Sequence, residues 1–470
     1  RSASRRQLMR GFPALEKSQS HRVRRWDALV LGGALPGLIA SIALARRGCR
    51  VLLLEDLRTA RSYSGLREPF HLCGASAEGI LGAALRGMGL PLIDQRRFRN
   101  TPEPLQIVTP EARIRLDSAA GTAAELSRWG FANSETAQAL MESLATAATL
   151  EREALLGSEI VQSGRRRAFA WARSRATDPT SPRGVPEVLG RAAPPVQQLC
   201  AALLGALGNH GAAEASHEAR ARLLGSALET AVRVVGEEDA LRGILHRRAE
   251  ALHVDRKLIE GPLRLVSVAG QPGLDSPVSE EVWTGRALVL NASRSALQDA
   301  FEGDLPQFLR ADRGRDRRHV AHFRAPKNRL PDGMGDRLVV LHPASLASGD
   351  LKWVRVRVLP GARGMSEIVA STDAPGDVDR SELLDSSVRA LLPFSQDWLE
   401  TQPLPQASWD SDSWLPEAKS DTSWPRVGAL RVSNRPSVYS LERGSLAALG
   451  SEGDLLLGWR GGDAIAAELS

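Results

Sequence analysis

Cysteine is scarce, with three residues, Cys49, Cys73 and Cys200, in a chain of 470. An odd count without paired spacing argues against a disulfide framework and a structural zinc site, and favours a reducing compartment, so the expected location is the cytoplasm. Aromatic residues make up 4%, and the only two tyrosines, Tyr63 and Tyr439, fall in expected turns. No apolar run approaches the roughly 20 residues that a membrane-spanning helix needs. No Gly-x-Ser-x-Gly elbow occurs and the nine histidines are scattered, so a nucleophilic triad has no support. His319 and His322 lie in a basic, strand-like run with no cysteine or acid beside them at ligand spacing, and no metal is expected. The chain does not open with Met, which points to a processed or incomplete start.

What is present suits a globular protein, with 43% hydrophobic and 25% charged residues. The length exceeds one ordinary core and predicts two or three domains, interleaved in sequence. The formal charge of +6 is unevenly placed. Residues 1–26 are basic (Arg1, Arg5, Arg6, Arg10, Lys17, Arg22, Arg24, Arg25) and read as a solvated tail or a docking arm for a protein partner. Arg165–Arg175, with Phe169 and Trp171, reads as a solvated loop or a basic amphipathic contact to an anionic membrane surface. No nucleic-acid-binding module is recognisable, and no nucleic-acid partner is expected.

The most informative stretch is Asp27 to Glu55. An apolar run (Ala28–Leu31) enters Gly32-Gly33-Ala34-Leu35-Pro36-Gly37, followed by an apolar helix pattern, Gly48, a second apolar run (Val51–Leu54) and Glu55. This is the strand–turn–helix–strand plan of a dinucleotide-binding unit. Such a turn brings backbone N–H groups and a helix N-terminus up to a pyrophosphate. The acid about 20 residues on accepts hydrogen bonds from a ribose. Ala34 stands where the motif has its second glycine, so a methyl crowds the closest approach to phosphate.

Further along, helices are predicted at Ile80–Met88, Glu135–Leu156, from Pro194 to about Val235, Gly236–Leu252 and Ser381–Leu392. Strands are predicted at Leu105–Val108, Ala112–Leu116, Leu263–Val268 and Arg286–Leu290. The runs Arg337–Leu341, Lys352–Leu359 and Ser366–Ser371 suggest antiparallel sheet. Thr401–Pro425, with Trp409, Trp414 and Trp424, reads as loop. A last strand, Asp454–Leu457, is expected to pass through Gly458 into a short helix, Asp463–Leu469.

Taken in order, these segments resemble the phytoene desaturase branch of the amine-oxidase-like FAD superfamily. The resemblance rests on the glycine turn, on Phe70–Gly74 with its following helix, and on Asp239–Leu252. It extends through Arg286–Ala292, Ala390–Phe394 and the C-terminal Leu449–Arg460 segment. It implies an α/β fold: a Rossmann-type, GR2-like FAD-binding domain, discontinuous in sequence, with an inserted α+β substrate domain. Carried onto this chain, the FAD domain is 27–74, 231–293 and 430–470, and the inserted domain is 75–230 (helical) and 294–429 (antiparallel sheet), after the tail 1–26.

The same resemblance implies FAD as cofactor, with Gly32, Gly33, Ala34 and Gly37 at the pyrophosphate and Glu55 on the ribose. Gly458, Trp459 and Arg460 would close over the flavin. Hydride transfer from an apolar small molecule to flavin is the implied reaction, and no catalytic side chain is singled out. Arg61-Ser62 and Val438–Arg443 replace further glycine-bearing segments of the family, as Ala34 does, and each added side chain occupies space that backbone approach requires. Two readings stay open: an FAD-dependent oxidoreductase, or a non-catalytic homologue that has lost FAD and serves as a structural or regulatory subunit. Tyr63 and Tyr439 would stack on a flavin or pack a loop, and His71 lies beside the segment near it.

Overall fold

The computed structural model describes residues 12, 22–60, 68–101, 103–157, 161–162, 189–208, 217–236, 239–292, 294–303, 305–310, 316–342, 352–375, 378–404, 428–441, 446 and 449–470. Arg165–Arg175, Tyr63, Arg61-Ser62, Glu442-Arg443, the three loop tryptophans and most of the N-terminal segment lie outside the described residues.

Two large sheets organise the chain. In the first, strands 437–440, Glu281–Leu290, Arg22–Leu31, Val51–Asp56 and Asp255–Ile259 run parallel in that spatial order. Arg431–Asn434 adds antiparallel to Ser437–Ser440, and the meander Arg264–Val268, Gln271–Ser276 adds antiparallel to Glu281–Leu290. The sheet is therefore of Rossmann type and draws its strands from three separated stretches of sequence. Its central strands are apolar on both faces because both are covered, one by helices and the other by the meander, the short helix Arg294–Ala300 and the segment after it.

The second sheet has the order 400–402, 316–326, 365–375, 353–360, 337–341, 105–108, 113–116. It is antiparallel apart from the parallel pairing of Leu105–Val108 with Arg337–Leu341. One face packs under the helix Ser381–Leu391 through Phe323, Leu338, Val340, Val354 and Ile368. The other face meets a helical layer at Val339 and Leu341.

Several expectations change. The first strand begins at Arg22, inside the segment expected to be a tail; Arg22–Trp26 pair with Glu281–Gly285, and Arg24 Nη2 lies 3.2 Å from Glu281 Oε1. Phe12 is buried in the same core. Backbone pairing at an exposed strand end does not need apolar side chains, which is why charge hid it.

The strand expected at Asp454–Leu457 is instead part of one helix, Gly450–Leu469. A short apolar run cannot be told from a buried helix segment by periodicity. Gly458 and Gly462 fit this helix tightly onto the helix Leu35–Arg46. A Cβ built on Gly458 would come within 2.7 Å of Ile39 Cβ, and one on Gly462 within 2.6 Å of Ala43 Cβ. Tyr439 is in a strand, not a turn. The helical run expected to reach Val235 is broken by the strand Val232–Val234, and Gly236–Leu252 is helical over Ala240–Ala251. Asp255–Ile259 was too charged (Asp255, Arg256, Lys257) to read as a strand; only its pairing with Val51–Asp56 makes it one.

Candidate functional site

The crevice above the carboxyl ends of the parallel strands is where open α/β sheets bind ligands. Here the first strand ends at Leu31 and the second carries Glu55 near its end. Gly32 has φ +108°, a conformation that favours glycine, and a Cβ there would meet Asn291 O at 2.4 Å. A Cβ on Gly33 would fall 1.9 Å from Glu55 Oε1, and one on Gly37 2.2 Å from Gly32 O. Each of these glycines is thus required by the chain's own packing. Asn291 Nδ2 donates to the Gly32 carbonyl at 3.3 Å and to the Ala34 carbonyl at 3.1 Å, tying the turn to the strand Glu281–Leu290.

The helix following the turn offers few donors to an anion. Pro36, in its first turn, has no N–H, and Gly37 N–H donates to the Ala34 carbonyl at 2.9 Å. Half-buried Ala34 adds its methyl at the same place.

Glu55 is fully buried, and both its carboxylate oxygens are engaged by guanidinium groups. Arg242 Nη2 donates to Oε1 at 2.9 Å, and Arg242 Nη1 donates to the Gly33 carbonyl at 2.7 Å. Arg256 Nε donates to Oε2, and His246 Nε2 stands 3.8 Å from Oε1. Arg242 is itself buried, on a helix whose stripe Leu241, Ile244, Leu245 and Ala249 faces the core. A charged residue inside that stripe was the sequence signal for its role. Arg256 carried no such signal, because its strand was not recognised.

The C-terminal candidates take part in packing and capping. Gly458 lets two helices touch, as described. The ring of Trp459 lies on the helix Ile80–Gly87, where a Cβ on Gly87 would meet it at 2.2 Å. Arg460 stacks on Trp459 at 4.1 Å and donates from Nη2 to the Leu156 carbonyl at 3.1 Å, near the end of the helix Ser134–Gly157. Tyr439 is buried; its hydroxyl donates to Glu468 Oε2 at 2.6 Å, and Arg431 lies 5.2 Å from its ring centroid and 3.2 Å from Glu468. Burial, then the Glu468 hydrogen bond and charge, push its phenol well up, so it stays protonated.

A second buried cluster was not foreseen. Arg222 is fully buried; its Nε and Nη2 donate to the Glu452 oxygens at 2.7 and 2.5 Å and its Nη1 to Glu229 Oε1 at 2.7 Å. Arg152 Nη1 reaches Glu229 at 3.2 Å, and the Cys73 thiol lies 3.7 Å from Glu452 Oε1. Cys73, Glu229 and Glu452 offer three ligand atoms within 4.8 Å of one another, a geometry a metal ion could use. Arg222 and Arg152 together already neutralise the two carboxylates, however, and burial holds the Cys73 thiol far above its ordinary range, so it is not the thiolate that metals and electrophiles require. The cluster ties the C-terminal helix to the helices His217–Ser226 and Ser134–Gly157 as an ion-pair joint.

His71 Nε2 lies 3.0 Å from the Ser226 carbonyl. Burial, with the Arg337 charge next in size, holds the imidazole down at about 4. His322 pairs with Glu367 at 2.8 Å within the second sheet, and His319 lies apart at the Pro375 carbonyl. Among the described residues, no helix is long and apolar enough to cross a membrane.

No family model and no curated protein matches this sequence. In structure the chain is similar to cyclohexylamine oxidase from Brevibacterium oxydans IH-35A, with TM-score 0.55 and 16% identity over 94% of this chain and 99% of that one. It is likewise similar to putrescine oxidase bound to putrescine, with TM-score 0.55 and 13% identity over 95% of this chain and all of that one. An oxidoreductase from Methanosarcina mazei matches with TM-score 0.51 and 12% identity over 93% and 99%. Along almost its whole length, the chain shares the fold of these proteins.

Proposed function

We propose that this chain is a non-catalytic relative of the oxidases whose fold it shares, a structural or regulatory subunit whose nucleotide crevice is closed by its own side chains. The observation that carries this reading is the engagement of Glu55 by Arg242 and Arg256. Glu55 is fully buried, so a ribose hydroxyl reaches its oxygens only if a neighbouring side chain moves aside. Displacing buried Arg242 costs about 3–5 kcal/mol, against about 1.5–3 kcal/mol returned by a hydrogen bond to a charged group, and half-exposed Arg256 is the looser of the two partners. Pro36, the inward Gly37 N–H and the Ala34 methyl weaken the neighbouring pyrophosphate seat as well. The residues present therefore do not fit FAD in the usual pose. In this reading the basic N-terminal segment serves as a contact to a protein partner.

The test is spectroscopic. The purified protein should be colourless, and titration with excess FAD should leave both flavin fluorescence and the melting temperature unchanged. Flavin absorption that co-elutes with the protein, or saturable FAD binding, overturns the proposal.

The likeness to oxidases over some 94% of the chain favours a second reading. In it the protein is an FAD-dependent oxidoreductase of phytoene desaturase type acting on an apolar small molecule. The flavin would supply the hydride acceptor, while Gly32, Gly33 and Gly37 face the pyrophosphate and Glu55 the ribose after release of Arg242. The same titration decides between the two.

A further inference from the structure

Pro91, Leu92 and Ile93 are three consecutive exposed apolar residues. Leu92 is 72% exposed and Ile93 76%, on the one-turn helix Leu92–Gln95, which buries none of its residues. Val235, also exposed, lies beside this turn: its N–H donates to the Arg97 carbonyl at 2.8 Å, and Arg97 Nε donates to the Val235 carbonyl at 2.8 Å. Exposed aliphatic residues scattered singly need no account, but these are contiguous. A Cβ on Gly89 would meet Arg46 Nε at 3.0 Å, and Arg46 ends the helix that begins at the glycine turn. The tip therefore lies at the opposite end of the Rossmann layer from the nucleotide crevice.

Arginines flank this tip. Arg96 and Arg99 are exposed just after it, and the one acid in the stretch Arg86–Asn100 is Asp94, which lies 3.5 Å from Arg247 Nη2. Arg248 Nη2 would meet the same Cβ on Gly89 at 3.1 Å, so two guanidinium groups lie together just before Pro91. Arg99 stands directly opposite Arg233 in the antiparallel ribbon of Phe98–Asn100 with Val232–Val234, and like charges so placed repel. Arg46 and Arg248 sit in the last turns of their helices, where the helix dipole favours a cation. That account does not reach Arg96, Arg99 or Arg233. Beyond Asp94, the acid on these elements is Glu250, at the exposed end of the helix that carries Arg247 and Arg248. Among the described residues, no carboxylate pairs with Arg46, Arg96, Arg99, Arg233 or Arg248.

We propose that Leu92 and Ile93, with the arginines beside them, form a docking surface for an anionic lipid bilayer. The two aliphatic side chains enter the boundary between headgroups and acyl chains, and the guanidinium groups meet the lipid anions at its surface. Those anions offset the repulsion between Arg99 and Arg233. A nucleic acid would answer the arginines but leave Leu92 and Ile93 in water. A second copy of this chain, set against the same face across a two-fold axis, would bring arginine against arginine. A fluid acyl layer needs no pocket shaped to the tip. This surface is separate from the crevice: Arg242, which engages Glu55, stands near the start of its helix, whereas Arg247 and Arg248 stand near its end. The flavin titration therefore neither tests it nor depends on it.

The test is co-sedimentation of the full chain with vesicles of phosphatidylcholine alone, and of phosphatidylcholine and phosphatidylserine in equal parts, at low and high salt. The wild type should sediment with the anionic vesicles at low salt, bind the neutral ones far less, and lose binding as salt screens the arginines. Leu92→Ser combined with Ile93→Ser should weaken the binding about tenfold. Arg96→Gln, Arg99→Gln and Arg233→Gln together should weaken it about a hundredfold at low salt. Every substituted position is exposed, so these variants should fold, which circular dichroism checks. No binding to the anionic vesicles at low salt overturns the proposal. So does binding untouched by the Leu92 and Ile93 substitutions, the result expected if the positive charge of the chain or its N-terminal segment acts alone. A dimer that the same two substitutions convert to monomer on size exclusion assigns the tip to a second copy, and likewise overturns it.

Discussion

Arg242 grips Glu55 and the glycine turn with one guanidinium: Nη2 lies 2.9 Å from Glu55 Oε1 and Nη1 2.7 Å from the Gly33 carbonyl. The acid that ends the second strand and the turn that ends the first are thereby joined through a helix about 200 residues away in sequence. Replacing Arg242 by Met leaves the buried carboxylate with half-exposed Arg256 as its main partner. The expected cost is about 3 kcal/mol in urea unfolding. A loss below 1 kcal/mol would mean that the pair is incidental to the fold.

Closure of the crevice can be separated from loss of the turn motif. If Arg242 is the main obstacle, Arg242→Ala combined with Ala34→Gly should gain measurable FAD affinity, while Ala34→Gly alone should gain little. Isothermal titration of wild type and both variants reads this. A large gain from Ala34→Gly alone would move the obstacle to the alanine methyl.

The contact between the C-terminal helix and the helix Leu35–Arg46 has no room for a side chain at Gly462. Gly462→Val should destabilise by about 1–3 kcal/mol through overpacking. Gly157→Ala meets no atom within 4 Å and should stay within about 0.5 kcal/mol of the wild type. Equal effects at the two positions would contradict the packing described.

The Arg222 joint predicts an acid-sensitive fold. Burial acts to raise the Glu229 carboxyl, but the Arg222 charge and hydrogen bond, with Arg152, overcome it and hold the group below its ordinary 4.5. A depressed folded value means that the stability is present above pH 4.5 and lost as pH falls through the folded value. Arg222→Met should cost about 3–5 kcal/mol at pH 7 and shift the acid unfolding midpoint upward. Circular dichroism against pH checks both.

His71 adds a second pH effect in a higher window. Its folded value is about 4 against an ordinary 6.5, so between these the unfolded chain binds more protons than the folded one. Stability should therefore be complete above pH 6.5 and fall by about 3 kcal/mol as pH drops toward 4. His71→Phe should flatten this part of the profile in urea titrations at fixed pH. An unchanged slope would place the titrating group elsewhere.

The local plan was legible in the sequence where one principle acted alone. Apolar runs on either side of Gly32-Gly33 require a strand, a tight turn and a helix, because glycine admits the φ of +108° at Gly32 and the apolar run wants cover on both faces. Alternation in Arg337–Leu341, Lys352–Leu359 and Ser366–Ser371 likewise gave antiparallel strands, because side chains two apart share a face. The order of segments, rather than any one of them, pointed to the oxidase fold.

Only the tertiary structure decided what those pieces do. Leu455-Leu456-Leu457 reads equally as strand or buried helix, and the choice fell to helix because Gly458 and Gly462 let it lie against Ile39 and Ala43. Glu55 as a residue type suits a ribose. Its actual partners, Arg242 and Arg256, lie about 190 and 200 residues on in sequence, and no local pattern could put them at its oxygens. His71 and the Ser226 carbonyl that its ring meets lie 155 residues apart, a contact that exists only once the fold has closed. Periodicity and turn chemistry act over a few residues and are written in the sequence; charge pairing and burial act across the fold, and appear only once it has closed.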